Sequence, residues 1–185
     1  MPNWCENKLT IDSKNSLDLH VFVEKYLTIK PDGSYTFDFN KVIPEPETLE
    51  ECPKRYILND DNHYLQLREG KAWFNWYDWH CAKWGSKWNA HDVDVIVDFD
   101  ACSLTIFYMT AWSPSIPVVQ KLMSKNKSLT FRYYYYEPGM AFAGFMDSDG
   151  ADEYFNGDDE AYRQFTIDAG FETQEFWDWL DNEDK

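Results

Sequence analysis

Val93, Val95, Val97 and Phe99 are separated by Asp94, Ile96 and Asp98, so one side of this segment is wholly apolar. A period of two marks a half-buried strand with its other face turned to solvent. Asp100 to Ser103 reads as a turn. Leu104, Ile106 and Tyr108 then share one side of a partner strand, with Phe107 and Met109 on the other. A hairpin patterned this way needs a second layer over its apolar face. Two segments have the right pattern to cover it. Leu19, Phe22, Val23 and Tyr26 recur at i, i+3, i+4 and i+7 and predict a helix over 16–28. Ser113-Pro114, a cap followed by proline at the first helical position, predicts a second helix over 114–125. Its inner face is expected to hold Ile116, Val119 and Met123, with Lys121 and Lys125 outside.

Residues 5–11 (CENKLTI) and 128–136 (SLTFRYYYY) supply two more strand patterns, and Met140 to Met146 is a candidate partner for the latter across Pro138-Gly139. The order is strand, helix, strand, strand, helix, strand. That is the β-α-β-β-α-β order of a ferredoxin-like fold, an α+β two-layer sandwich. One antiparallel sheet is expected from 5–11, 92–99, 103–110 and 128–136, with both helices on one face. Pro31-Asp32-Gly33 and Pro44-Glu45-Pro46 break the chain between the first helix and the second strand. An insertion at about 30–90 follows from these breaks; residues 47–70 within it show no regular pattern.

The insertion ends in WFNWYDWHCAKWGSKW, residues 73–88, with five tryptophans. Trp73, Trp76, Tyr77, His80 and Trp84 fall at helical spacing, which predicts a helix ending near Gly85. Large aromatics dominate cores, so these tryptophans and Trp112 are expected to be largely buried. A base-stacking platform would need a positive groove, and only Lys71, Lys83 and Lys87 lie nearby. His80 and Cys81 adjoin, but neighbours on a helix point in different directions and no oxyanion hole is suggested. Cys5, Cys52, Cys81 and Cys102 and the four histidines lack the paired spacing of a zinc site, and no glycine-rich phosphate loop is present. No catalytic residue, metal or cofactor is therefore expected, and the cysteines read as buried free thiols.

Charge divides the chain unevenly. Of 33 Asp+Glu against 17 Lys+Arg, a net of −16, residues 137–185 hold 15 acids and only Arg163 and Lys185 as bases. Repulsion from phosphates disfavours direct nucleic-acid binding. Tyr154, Phe155, Tyr162, Phe165, Phe171, Phe176, Trp177 and Trp179 interleave with the carboxylates, which argues against disorder. A boundary is set at 146/147, residues 1–146 forming the ferredoxin-like domain and 147–185 an acidic extension packed on it. Asp147 to Glu153 (DSDGADE) only partly matches a calcium loop, since glycine is fourth and position twelve is Asp158. The alternative is an ordered acidic surface that competes with nucleic acid for a basic cleft. Its candidate partner-binding residues are Asp147, Asp149, Asp152, Glu153, Asp158, Asp159 and Glu160. Reversal of Asp152, Glu153, Asp158, Asp159 and Glu160 to lysine is expected to spare the fold, because exposed separated charges add little stability.

MPNWCENKLTI at the start, WGSKWNA at 84–90 and TAWSPSIP at 110–117 resemble the YubB-like family of phage and plasmid proteins with a ferredoxin-like domain. The resemblance spans residues 1–146 and leaves out the acidic end. It implies the ferredoxin-like fold and a mobile-element origin, and carries no catalytic residues. Joined to the acidic surface, it leads to the expectation of a counter-defence protein, an anti-CRISPR inhibitor that binds an RNA-guided nuclease of the host. Two other classes compete: a metal-dependent nucleic-acid-processing enzyme using the carboxylates of 147–160, and a phage accessory or structural protein. The first ten residues lack the pattern of a secretory signal and no long apolar run occurs, so a location in the host cytosol away from membranes is expected.

Overall fold

The structure, a computed structural model, describes residues 3–45, 76–157 and 159–183. Alternation builds its sheet. In β1 (Trp4–Ser13), Cys5, Asn7, Leu9 and Ile11 turn inward and the residues between them turn to the other face. α1 (Ser16–Tyr26) follows, capped by Asn15, whose side chain accepts from the Asp18 amide at 3.0 Å. It stops at Tyr26, earlier than its pattern suggests, because Leu27-Thr28-Ile29 goes extended as β2 (Leu27–Ile29) and pairs with β3 (Tyr35–Phe37). α2 (Trp76–Lys83) precedes the expected hairpin of β4 (His91–Asp98) and β5 (Ser103–Ala111). There Val95 faces Ile106 and Val97 faces Leu104. α3 (Ile116–Lys125), β6 (Leu129–Glu137), β7 (Phe142–Asp147), β8 (Asp152–Asn156), α4 (Glu160–Ala169) and α5 (Gln174–Glu183) complete the chain.

Apart from the β2–β3 pair, the described strands form one six-stranded antiparallel sheet ordered β4-β5-β1-β6-β7-β8. Its first four members reproduce the ferredoxin-like arrangement, with β1 between the third and fourth strands of the motif. β7 adds to β6, and this neighbour sits close: a Cβ on Gly144 would run into the Tyr135 side chain. Leu19, Phe22, Val23 and Tyr26 of α1 join Val118, Val119, Leu122 and Met123 of α3 over one face. The other face differs from a two-layer sandwich at its β6–β8 end. There Tyr136 and Ala143 meet Tyr162 of α4 and Trp177 of α5 in a second core. Among the described residues the sandwich thus has two layers over β4–β5 and a third over β6–β7, because the aromatics of 147–183 need a surface of their own to bury.

Several expectations require correction. α3 begins at Ile116, with Ser115 at the N-cap and Pro117 in the first turn. Ser113 is held out of the helix, since its hydroxyl donates to the Gly85 carbonyl and its own carbonyl accepts from Thr110 Oγ1 at 2.8 Å. Ile116 is only partly covered. α2 turns a different face inward than its spacing implies: Trp79 and Trp84 are buried at right angles to each other, while Trp76, Tyr77 and Trp88 are exposed. Trp112 is 45% exposed, because the backbone turns left-handed there (φ 73°) and swings the indole off the sheet. Cys5 is buried as expected, whereas Cys81 is exposed on α2. Trp73, Cys52 and residues 47–70 lie outside the described residues.

Candidate functional site

The three sequence motifs converge on one place, the junction of β1, β5 and the start of α3. Asn7 Nδ2, wholly inside, donates to the Cys5 carbonyl at 2.8 Å and to Thr110 Oγ1 at 2.9 Å. Tyr133 donates its hydroxyl proton to Asn7 Oδ1 and accepts from the Ser115 amide at 3.0 Å. Tyr108 and Ser115 share a hydrogen bond of 2.7 Å. Ser86 Oγ bonds to the Ala111 amide at 3.1 Å, and the Trp112 amide donates to the Asn3 carbonyl at 3.0 Å. Gly85, at φ 80°, has the Pro114 carbonyl and Pro117 Cδ 2.7 Å from where a Cβ would stand. Burial drives both the Tyr108 and Tyr133 hydroxyls well above their ordinary pKa. This is a closed polar network with every described member partnered. It locks the helix to the sheet.

His80 and Cys81 do not form a reacting pair. The His80 ring stacks on Trp84 at 4.1 Å, its Nδ1 meets the Lys87 carbonyl at 2.8 Å, and its Nε2 meets the Glu45 carboxylate. Cys81 points outward. Among the described residues no three His, Cys, Asp or Glu side chains gather as a metal cage, and no helix is long and apolar enough to cross a membrane.

The candidate carboxylates take two kinds of position. Asp147 closes the β7–β8 turn, its Oδ1 accepting from the amides of Asp149 at 2.8 Å and Ala151 at 2.9 Å. Asp159 caps α4, accepting from the Tyr162 amide at 2.8 Å. Asp149, Asp152, Glu153 and Glu160 are exposed. Strand alternation on β8 parts Asp152 from Glu153: Tyr154 beside them stacks on Phe142, and Phe155 stacks on Phe165 of α4 across the sheet. Asp158 lies outside the described residues. As a helix cap, Asp159 is thus more than the separated exposed charge that the sequence suggests. Asp159→Ala should lower stability by about 1 kcal/mol through loss of the cap, while Asp152→Ala should stay within about 0.5 kcal/mol; urea unfolding of the two variants checks this.

Sequence reasoning missed Glu6, on the face of β1 that α4 and α5 approach. Burial, and then the neighbouring Glu172, hold its carboxyl above the usual carboxylate range. Glu172 is itself engaged by the Tyr136 hydroxyl at 2.9 Å. Because the folded state favours protonated Glu6, that contribution to stability is complete below the ordinary value of 4.5 and is lost as pH rises through the raised one. Glu6→Gln should therefore raise Tm at pH 7 and leave it unchanged below the ordinary carboxylate range. An equal Tm for both proteins at pH 7 would contradict this.

Residues 83–178 match the family model described as "Ferredoxin-like domain in Api92-like protein". The match holds the second and third motifs and runs through most of the acidic segment, which the motifs alone left outside the resemblance. Among solved structures, the crystal structure of a protein api92 from Yersinia pseudotuberculosis is similar in fold, with a TM-score of 0.50 and 10% identity over 86% of this chain and 99% of that one. Nothing among curated proteins matches.

Proposed function

This chain belongs to the Api92-like family of phage and plasmid proteins with a ferredoxin-like domain, and on that footing we propose that it is a counter-defence protein, an anti-CRISPR inhibitor that engages an RNA-guided nuclease through its acidic surface. The observation that carries this reading is the placement of charge. Nearly all of the net −16 falls in residues 137–185, on strands and helices held by the second aromatic core. Arg163, the one basic residue described there, is paired with Asp181 and lies against Trp177 at 4.8 Å. Carboxylates fixed on rigid elements can oppose the phosphate-binding channel of a nuclease with little ordering cost. Long-range attraction then speeds encounter and makes it salt-sensitive.

The proposal is tested by passing host lysate over the immobilised protein at low and physiological salt. Basic-cleft nucleic-acid-handling proteins should be retained at low salt and released as salt rises. Added DNA or RNA should compete with them. Salt-insensitive capture through the tryptophans of 76–88 would contradict the reading.

A further inference from the structure

Among the described residues, no helix covers one face of β4, β5 and the start of β1. Ile96 and Phe107 lie on it, 58% and 36% exposed, while the alternate residues of the same strands fill the main core. From the other end of the sheet, α4 reaches only as far as Lys8, whose Nζ donates to the Ala169 carbonyl at 2.9 Å. Where the turn between α4 and α5 stops short, a cleft of about 110 Å³ opens against the sheet. Glu6, Asp92, Phe107, Met109 and Phe171 line it. Small-molecule clefts run to about 300–1,000 Å³. This one has room for a single side chain.

Charge on this face indicates what that side chain is. Its basic groups are engaged within the chain: Lys8 by the Ala169 carbonyl and Arg132 by Asp12. Among the described residues no cation pairs with Glu6, and Asp92 meets only His91, at 3.1 Å. Asp94 and Asp98 continue the negative rim along β4. We infer that the open sheet face docks a cationic segment of a partner protein, with one arginine entering the cleft against Glu6 between Phe107 and Phe171. Arginine suits the site better than lysine. Its planar guanidinium can lie on the phenyl rings while meeting a carboxylate side-on, and it is less strongly hydrated than an ammonium group. The groups facing Glu6 are Lys8 on its own strand, Asp92 from β4, Tyr136 from β6 and Glu172 from the α4–α5 turn. Of these only Lys8 is cationic. A bound guanidinium would offset the burial, and then the Glu172 charge, that hold the Glu6 carboxyl up. This surface is distinct from Asp149, Asp152, Glu153 and Glu160, and the inference stands or falls apart from the nuclease reading.

Nona-arginine and nona-lysine serve as probes of the full chain, in the wild type and in a variant with Asp149, Asp152, Glu153 and Glu160 changed to lysine. The Met109 methyl and Glu6 carboxyl signals are followed by NMR. In the lysine variant nona-arginine should still shift both signals, bind about tenfold more tightly than nona-lysine, and lose about tenfold on Glu6→Gln or Phe107→Ala. It should also bring the Glu6 carboxyl pKa down. Shifts confined to residues 147–183 would overturn the inference, as would equal affinity for the two peptides with indifference to Glu6→Gln. So would a dimer in sedimentation that Phe107→Ala dissolves, since the face would then belong to a second copy of the chain.

Discussion

Asn7→Ala is expected to destabilise the protein by about 3 kcal/mol or more, because each buried polar group left without its partner costs about 1–3 kcal/mol. The substitution takes the acceptor from the Tyr133 hydroxyl and the donor from both Thr110 Oγ1 and the Cys5 carbonyl, all in a region closed to water. In a chain of this length each kcal/mol moves Tm by about 2–4 °C, so a fall of roughly 6–12 °C should appear in thermal unfolding. Asn156→Ala, on the exposed edge strand β8, is the matched control and should change stability by no more than about 0.5 kcal/mol. A fall below about 1 kcal/mol for Asn7→Ala would mean that the junction of the three motifs does not hold α3 to the sheet.

The strands and crossover helices were legible in the sequence because their burial is periodic. Val93 to Phe99 and the i, i+3, i+4, i+7 set in α1 record, residue by residue, which side meets the core. Asn7 was harder to see. A polar residue in phase with Cys5, Leu9 and Ile11 looks like a flaw in the pattern, and only its cross-chain partners, more than a hundred residues away, show that it is a tie. The order of side chains around α3 was obscured by SPSIP, where Ser113 stands before Pro114 and Ser115 before Ile116-Pro117, and the hydrogen bond from Ser113 to Gly85 decides which serine caps the helix. The exposure of Trp76, Trp88 and Trp112 was beyond reach, since hydrophobicity says that burying an indole is favourable but leaves open which ring is left over. β8 was hidden for a different reason. DEYFN places its two aromatics side by side, so one packs on each face and no alternation survives to announce a strand.

The same split governs the acidic surface. Asp147 and Asp159 serve the backbone, which leaves Asp149, Asp152, Glu153 and Glu160 as the described members of the candidate set free to meet a partner. Reversing these four to lysine changes the local charge by eight while touching no cap, turn or core contact. It should keep Tm within a few degrees and weaken partner binding by at least about a hundredfold at low salt, where screening sets in only beyond about 30 Å at 0.01 M. For the unmodified protein the same attraction should shrink steeply by 0.1 M, where the screening length falls to about 10 Å. A variant that unfolded would show that one of these carboxylates has a structural role the hydrogen bonds do not reveal.

Competition with DNA on a purified, guide-loaded nuclease of the host tests the central claim most directly. Labelled target DNA is bound to the nuclease and followed by fluorescence anisotropy while the protein is added. The unmodified protein should release the DNA at low salt and less of it at physiological salt, and the four-lysine variant should release none. Displacement by the variant as effective as by the unmodified protein, or DNA that stays bound throughout, would contradict the claim.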